Sequence, residues 1–72
     1  MDKTEYLKLC QRRAYGEAVL VEYNGIAYIP IERVEWFDKE TKMHISAVVQ
    51  DLKTRTLIRC PVEKLTVKEI IL

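Results

Sequence analysis

Glycine, cysteine and histidine are scarce in this 72-residue chain, which contains two glycines, two cysteines and one histidine. With Gly16 and Gly25 as the glycines, the sequence has no glycine-rich loop of the kind that cradles phosphate groups. Cys10, Cys60 and His44 are too scattered to form a zinc-binding pattern. The sequence therefore predicts no metal site and no cofactor. For two cysteines in an intracellular chain, buried thiols are favoured over a disulfide.

An excess of charge of one sign and long hydrophobic runs are also missing. Twelve Lys and Arg residues face eleven Asp and Glu residues, for a formal net charge of +1. This balance argues against a protein that depends on non-specific attraction to phosphate. No apolar run approaches membrane-spanning length, and the segment MDKTEYLKLCQRR lacks the apolar core of a signal peptide. We therefore expect one small cytoplasmic domain over residues 1–72, with no membrane partner and no evident small-molecule substrate.

Two apolar, β-branched runs joined by Asn24-Gly25 dominate what is present, in AVLVEYNGIAYIPI over residues 18–31. Because Asn tolerates positive φ and Gly adopts it freely, this dipeptide predicts a type I′ hairpin turn. One face of the hairpin then carries Val19, Val21, Tyr23, Ile26 and Tyr28, and the other carries Ala18, Leu20, Ala27, Ile29 and Ile31. A solvated face would alternate with polar residues. We expect both faces to be covered, by the rest of the chain or by a partner.

The remaining segments are short and punctuated by turn residues. Asp2 can cap a helix over residues 2–15, and Gly16 suits its exit. Strands are expected at 33–38, 43–50, 56–60 and 66–72, separated by the polar turns DKETK and DLKTRT and by a helical turn that opens at Pro61. Pro30 has no N–H, so either its strand ends there or its edge is free. The pattern predicts a mainly β, α+β fold in which an N-terminal helix precedes a five-stranded antiparallel small barrel over residues 17–72, since closing or half-closing the sheet removes its edges.

Three resemblances accompany this outline. The run from Val48 to Val67 resembles the end of SH3-like barrels: strand, polar hairpin, strand, helical turn, strand. The short helix followed by AVLVEYNGIAYIPIERVEWFD resembles the opening of Sm-like proteins, including the bacterial RNA chaperone of that family. Pro30 stands where that family often has a glycine, and TLIRCPVEKL lacks the chaperone's Lys-His pair. EYLKLCQ, the Asn-Gly hairpin and DLKTRT are similar in layout to short proteins of bacterial phages and mobile elements. The Sm-like resemblance implies binding of single-stranded RNA or DNA.

Groups suited to catalysis are poorly placed in the sequence. His44 could meet Cys60 or Asp51 only if separate strands happened to converge. The carboxylates of Glu32, Glu35, Asp38 and Glu40 alternate with Arg33, Lys39 and Lys42, and exposed charge pairing explains such a pattern. We therefore expect that the protein is not an enzyme and assign no catalytic residue.

Surplus apolar surface supports the leading hypothesis, a non-catalytic protein-interaction or assembly module that includes self-association. A domain this small buries only about 60% of the surface of its unfolded chain, and the adjacent Trp36 and Phe37 put a large aromatic on each face of one strand. Contiguous exposed apolar patches mark contact surfaces. The candidate protein contacts are Tyr23, Asn24, Tyr28, Trp36, Phe37, Ile70, Ile71 and Leu72. The alternative is an Sm-like single-stranded RNA- or DNA-binding protein, for which Lys8, Arg12 and Arg13 are the candidate contacts; the other interpretation of these cations is a solvated helix face.

Overall fold

A computed structural model describes the backbone of residues 1–71 and the side chains of residues 1–68. The helix α1 spans Lys3–Ala14 and is followed by the strands β1 (Ala18–Tyr23), β2 (Ile26–Phe37), β3 (Met43–Asp51), β4 (Leu57–Pro61) and β5 (Thr66–Ile71), with a 3-10 turn at Val62–Lys64 before β5. The strands form one antiparallel sheet in the order β4-β3-β2-β1-β5. This confirms the predicted mainly β, α+β fold with its helix, five strands and helical turn.

The predicted small barrel is not found, because β4 and β5 lie at opposite edges of the sheet and do not pair with each other. The helix α1 covers the core face in place of a second sheet wall. Tyr6, Leu9 and Cys10 of α1 pack on core residues that include Val21 and Val49. The core is therefore buried without closing the sheet.

The hairpin of β1 and β2 has the predicted turn and register. Asn24 and Gly25 have φ values of 51° and 78°, as a type I′ turn requires. Tyr23 lies opposite Ile26 and Val21 lies opposite Tyr28. The chemistry of the turn residues thus sets which side chains share a face.

Pairing between β1 and β2 covers three positions and ends at Val21 and Tyr28. In a two-residue hairpin every second pair from the turn exchanges hydrogen bonds, so the next such pair would be Val19 with Pro30. Pro30 has no N–H to donate. The strand β2 nevertheless continues, because on its other side Pro30 lies opposite Val49, and a bulge follows between Pro30 and Glu32. The sequence predicted either that the strand ends at Pro30 or that its edge is free there. The structure shows the second outcome, because β2 continues while its edge toward β1 is unpaired at Pro30.

Burial of the hairpin differs between its two faces. Val19, Val21 and Tyr28 belong to the core beneath α1. On the opposite face Leu20, Ala27, Ile29 and Ile31 are half-buried and Ala18 is exposed. We expected both faces of the hairpin to be covered. Within the described residues, only the face that packs against α1 is buried.

Local features of the termini and turns follow the sequence closely. The Glu5 backbone N–H donates to the Asp2 side chain at 2.8 Å, which caps α1, and Gly16 leaves the helix at φ 96°. Cys10 and Cys60 are free, buried thiols, which confirms the prediction made for them. No helix in the described part of the chain has the length and apolar character needed to span a membrane.

Candidate functional site

The end of the β2–β3 hairpin ribbon that adjoins the turn at residues 38–42 carries a cluster of exposed large apolar side chains. Two of them, Trp36 and Phe37, are predicted contacts. Phe37 and Met43 lie directly opposite each other on one face, with 68% and 50% of their surfaces exposed. Trp36 lies on the other face opposite His44 and is 38% exposed. We call Trp36, Phe37 and Met43 the hairpin-end patch. It wraps around both faces of the ribbon.

This ribbon projects beyond the core of the domain. No residue from 31 to 45 is buried, although β2 and β3 are paired from Glu32 opposite Val48 to Phe37 opposite Met43. An isolated two-stranded ribbon is only marginally stable in water. The ribbon end therefore depends on local polar contacts to keep its shape.

Asp38 supplies several of these contacts at the turn between β2 and β3. One carboxylate oxygen accepts the backbone N–H groups of Glu40 at 2.8 Å and Lys42 at 3.0 Å. The other oxygen lies 2.7 Å from Nε2 of His44. The bond with His44, followed by the bond from the Lys42 N–H, lowers the pKa of Asp38. The ionised carboxylate thus ties the turn to the first residues of β3.

Trp36 is held by contacts on its face and at its edge. Its ring stacks on His44 with centroids 4.5 Å apart, and its indole N–H donates to Oγ of Ser46 at 2.9 Å. Ser46 is buried, so this bond connects the exposed ribbon to the packed part of the sheet. Because Trp36 is already oriented, a partner that packs on it has little side-chain freedom to remove.

The predicted contact residues do not form one surface. Tyr23 packs partly against the core, and Asn24 is exposed in the first turn. Tyr28 is 7% exposed and belongs to the core, so its side chain is not available to a partner. The candidates Ile70, Ile71 and Leu72 lie outside the residues whose side chains the structure describes.

The two clusters of candidates lie at opposite ends of β2. Gly25, beside Asn24, borders a hollow with Asp51 and Lys53 of the β3–β4 turn. A strand of twelve residues spans roughly 35 Å at 3.3 Å per residue, less where it bends at the bulge. Trp36 and Phe37 are therefore neighbours of each other, but not of Asn24.

The three cationic side chains proposed for nucleic-acid contact have different surroundings in the fold. Arg12 forms an ion pair with Glu17. Arg13 is half-buried and reaches back toward the Ile31 carbonyl oxygen, 3.5 Å from its Nη2. Lys8 is exposed beside Glu5. Lys8 and Arg12 border the same hollow, but Arg13 lies toward β2, so the three side chains do not form one cationic face.

A hollow of about 320 Å³ beside Trp36 brings His44, Ser46 and Cys60 close together in the fold. Cys60 lies opposite Ala47 on the core face, whereas His44 and Ser46 project from the other face of β3. Burial raises the pKa of the Cys60 thiol, which disfavours the nucleophilic thiolate. The Ser46 hydroxyl already accepts the Trp36 indole N–H. This arrangement lacks an activated nucleophile.

Sequence reasoning missed Met43 and the cross-strand contacts of Trp36. The signal for Met43 was available, because pairing the strands on either side of the DKETK turn places it opposite Phe37. In comparisons with family models, with curated proteins and with solved structures, no match to this chain was found. The candidate site is therefore argued from the geometry of this chain alone.

Proposed function

We propose that this chain is a non-catalytic protein-interaction or assembly module that docks through the hairpin-end patch. One observation carries the proposal: Phe37 and Met43 face each other at 68% and 50% exposure. They lie on a projecting ribbon in which residues 31–45 include no buried side chain. Monomeric proteins seldom leave contiguous apolar area exposed unless it contacts something.

The surroundings of the patch also suit a protein partner. Lys39, Glu40 and Lys42 are exposed on the adjoining turn, so charges of both signs border an apolar centre. Protein interfaces combine an apolar, aromatic-rich centre with a polar rim. A phosphate backbone would instead favour a surface of one positive sign.

The cellular setting that we propose is the cytoplasm, and free buried thiols at Cys10 and Cys60 suit a reducing compartment. The small open sheet is compatible with the SH3-like and Sm-like resemblances of the sequence. Together with the similarity in layout to phage and mobile-element proteins, it supports an accessory role in which the chain binds another protein or a second copy of itself.

The test compares wild type with the double variant Phe37→Ser/Met43→Ser by light scattering over a range of concentrations and by crosslinking in extracts of the source cells. Tyr15→Ser is the matched control, because Tyr15 is 89% exposed but lies at the end of α1. We expect the double variant to lose self-association, or to lose one identified crosslinked partner, while the control retains it.

Two results would overturn the proposal. The first is a wild-type protein that stays monomeric at every concentration and shares all its crosslinked partners with the double variant. The second is binding of short single-stranded oligonucleotides that weakens as salt rises and needs Lys8, Arg12 or Arg13, because that result would assign the chain to nucleic-acid binding.

A further inference from the structure

A second candidate binding surface lies near Pro30, where β1 and β2 separate beyond the pair Val21 and Tyr28. The separation opens a cleft of about 420 Å³ between the two strands, bordered by Val19 of the core as well as by residues of the opposite face. Its wall includes the apolar side chains of Leu20, Ile29, Ile31 and Leu52 and the charged side chains of Arg13 and Glu17. Binding sites for small organic ligands occupy about 300–1,000 Å³, so the cleft is within this range.

The lining changes from charged to apolar along the strands. Arg13 reaches toward the backbone of Ile31 at one end. Ile29, farther along β2, lies opposite Gln50, and Tyr28 lies opposite Asp51. Leu52 follows Asp51 and therefore stands at the other end of the cleft. The cleft thus has a charged end, where Arg13 is the cation and the Glu17 carboxylate is paired with Arg12, and an apolar end. The two ends are separated by roughly 10–13 Å at 3.3 Å per residue.

Arg13 is incompletely satisfied at the charged end. Its Nε is shut off from solvent and has no hydrogen-bond partner among the described residues, and its Nη2 makes a long contact of 3.5 Å with the Ile31 carbonyl oxygen. The neighbouring Glu17 carboxylate is paired with Arg12. A buried guanidinium N–H without an acceptor is costly. Because the Nε is shut off from solvent, a carboxylate in the cleft would accept from the Nη groups of Arg13, since a carboxylate can accept from two guanidinium N–H groups side by side.

We propose that this cleft binds a medium-chain carboxylate. The carboxylate head lies on Arg13, and the hydrocarbon chain runs past Leu20 and Ile29 to Leu52. Separation of a cation from an apolar end matches an amphiphile with one head and one unbranched tail. The cleft is distinct from the hairpin-end patch, so this inference does not depend on the proposed function.

The test titrates octanoate into the protein at pH 7.5 and follows backbone amide NMR shifts, with octanamide as the uncharged ligand of equal length. Octanoate should shift the amides of residues 18–20, Ile29 and Ile31 and bind at least tenfold more tightly than octanamide. Arg13→Gln should reduce octanoate affinity about tenfold, to the level of octanamide. Arg59→Gln is the matched control, since it removes the same charge from an exposed side chain of β4 that does not line the cleft, and its affinity should stay within twofold of wild type.

A second variant keeps the test informative if Arg13→Gln fails to fold by circular dichroism. Leu52→Asp places a charge at the apolar end, on an exposed turn, and should weaken octanoate binding at least fivefold while the fold is retained. Phe37→Ser should leave octanoate binding unchanged.

Three outcomes would overturn the inference. The first is an absence of octanoate binding at millimolar concentration, and the second is binding of octanamide as tight as that of octanoate. The third is a peptide with an apolar C-terminal residue and free carboxylate that binds more than tenfold tighter than octanoate, which would assign the cleft to a protein terminus.

Discussion

Trp36 stacks on His44 across the β2–β3 pair, with ring centroids 4.5 Å apart and ring planes inclined by 21°. His44 is joined to Asp38 at the turn, and the Trp36 indole N–H is joined to Ser46 in the packed part of the sheet. These contacts form a continuous chain from the turn to the packed part of the sheet. Since the sequence has a single tryptophan, its fluorescence reports on the hairpin end.

Replacing Ser46 with Ala should loosen this chain of contacts. The Trp36 N–H would lose its acceptor at 2.9 Å, and we expect the free energy of unfolding to fall by about 1 kcal/mol. Tryptophan emission should change, because the ring gains freedom. Urea unfolding followed by fluorescence measures both effects. Thr66→Ala, at an exposed hydroxyl, is the control, and equal behaviour of the two variants would contradict the prediction.

Tyr6→Phe tests the polar contact inside the core. The Tyr6 hydroxyl donates to the Val48 carbonyl oxygen at 2.8 Å from a fully buried ring. Loss of this bond leaves a carbonyl without its partner, so we expect a destabilisation of about 1–3 kcal/mol in chemical denaturation. Tyr15→Phe, at the exposed end of α1, should change stability by less than about 0.5 kcal/mol. A Tyr6→Phe variant as stable as wild type would show that the hydrogen bond contributes nothing net.

The two cysteines should resist thiol reagents in the native protein. Burial raises the pKa of both the Cys10 and Cys60 thiols, and the reactive species is the thiolate. We expect slow labelling by Ellman's reagent at neutral pH and rapid labelling of both thiols in denaturant. Fast reaction of either cysteine in the folded state would contradict their placement in the core.

Asp51 should contribute to stability at neutral pH and lose that contribution in acid. Hydrogen bonds from the backbone N–H groups of Thr54 and Lys53 lower its pKa in the folded state. A folded-state pKa below that of the unfolded chain stabilises above about pH 4, and the effect disappears as pH falls through the folded value. Asp51→Asn should therefore be less stable than wild type at pH 7 and equal to it in strong acid. Thermal unfolding across this range measures the convergence, with Glu40→Gln as a control that should show little difference at either pH.

Pro30→Val tests why β1 and β2 separate. Valine restores the N–H that the next hydrogen-bonded pair with Val19 requires. We expect slower amide hydrogen exchange at position 30 than at exposed amides, together with weaker octanoate binding as the cleft narrows. Pro61→Val, at the end of β4, should leave octanoate binding unchanged. Rapid exchange at position 30 in a folded variant would show that proline is not what ends the ladder.

Sequence reasoning succeeded where near neighbours decide the conformation. Asp2 caps α1 through the N–H of Glu5, Asn24 and Gly25 form the first turn, and Asp51 organises the third. Each outcome depends on groups within a few residues. The alternation of Val34 and Trp36 against Arg33 was likewise readable, because a strand has a side-chain period of two.

Placement of the candidate site could be predicted only in part. Trp36 and Phe37 were identified as aromatics on opposite faces, but nothing local distinguishes an exposed Phe37 from a buried Tyr28, since both lie in apolar strand patterns. Tyr28 is buried because α1 packs over its part of β2, whereas Phe37 lies beyond that cover. Exposure is thus a consequence of long-range packing.

The sequence by itself determined the helix cap, the turns, the strand register and the two apolar faces of the first hairpin, because these follow from backbone conformation and side-chain alternation over short distances. Tertiary structure decided that the sheet stays open, which of the two hairpin faces α1 covers and that Arg13 lies at the cleft between β1 and β2. Those outcomes depend on how one helix packs against strands far from it in the chain, which no local pattern encodes.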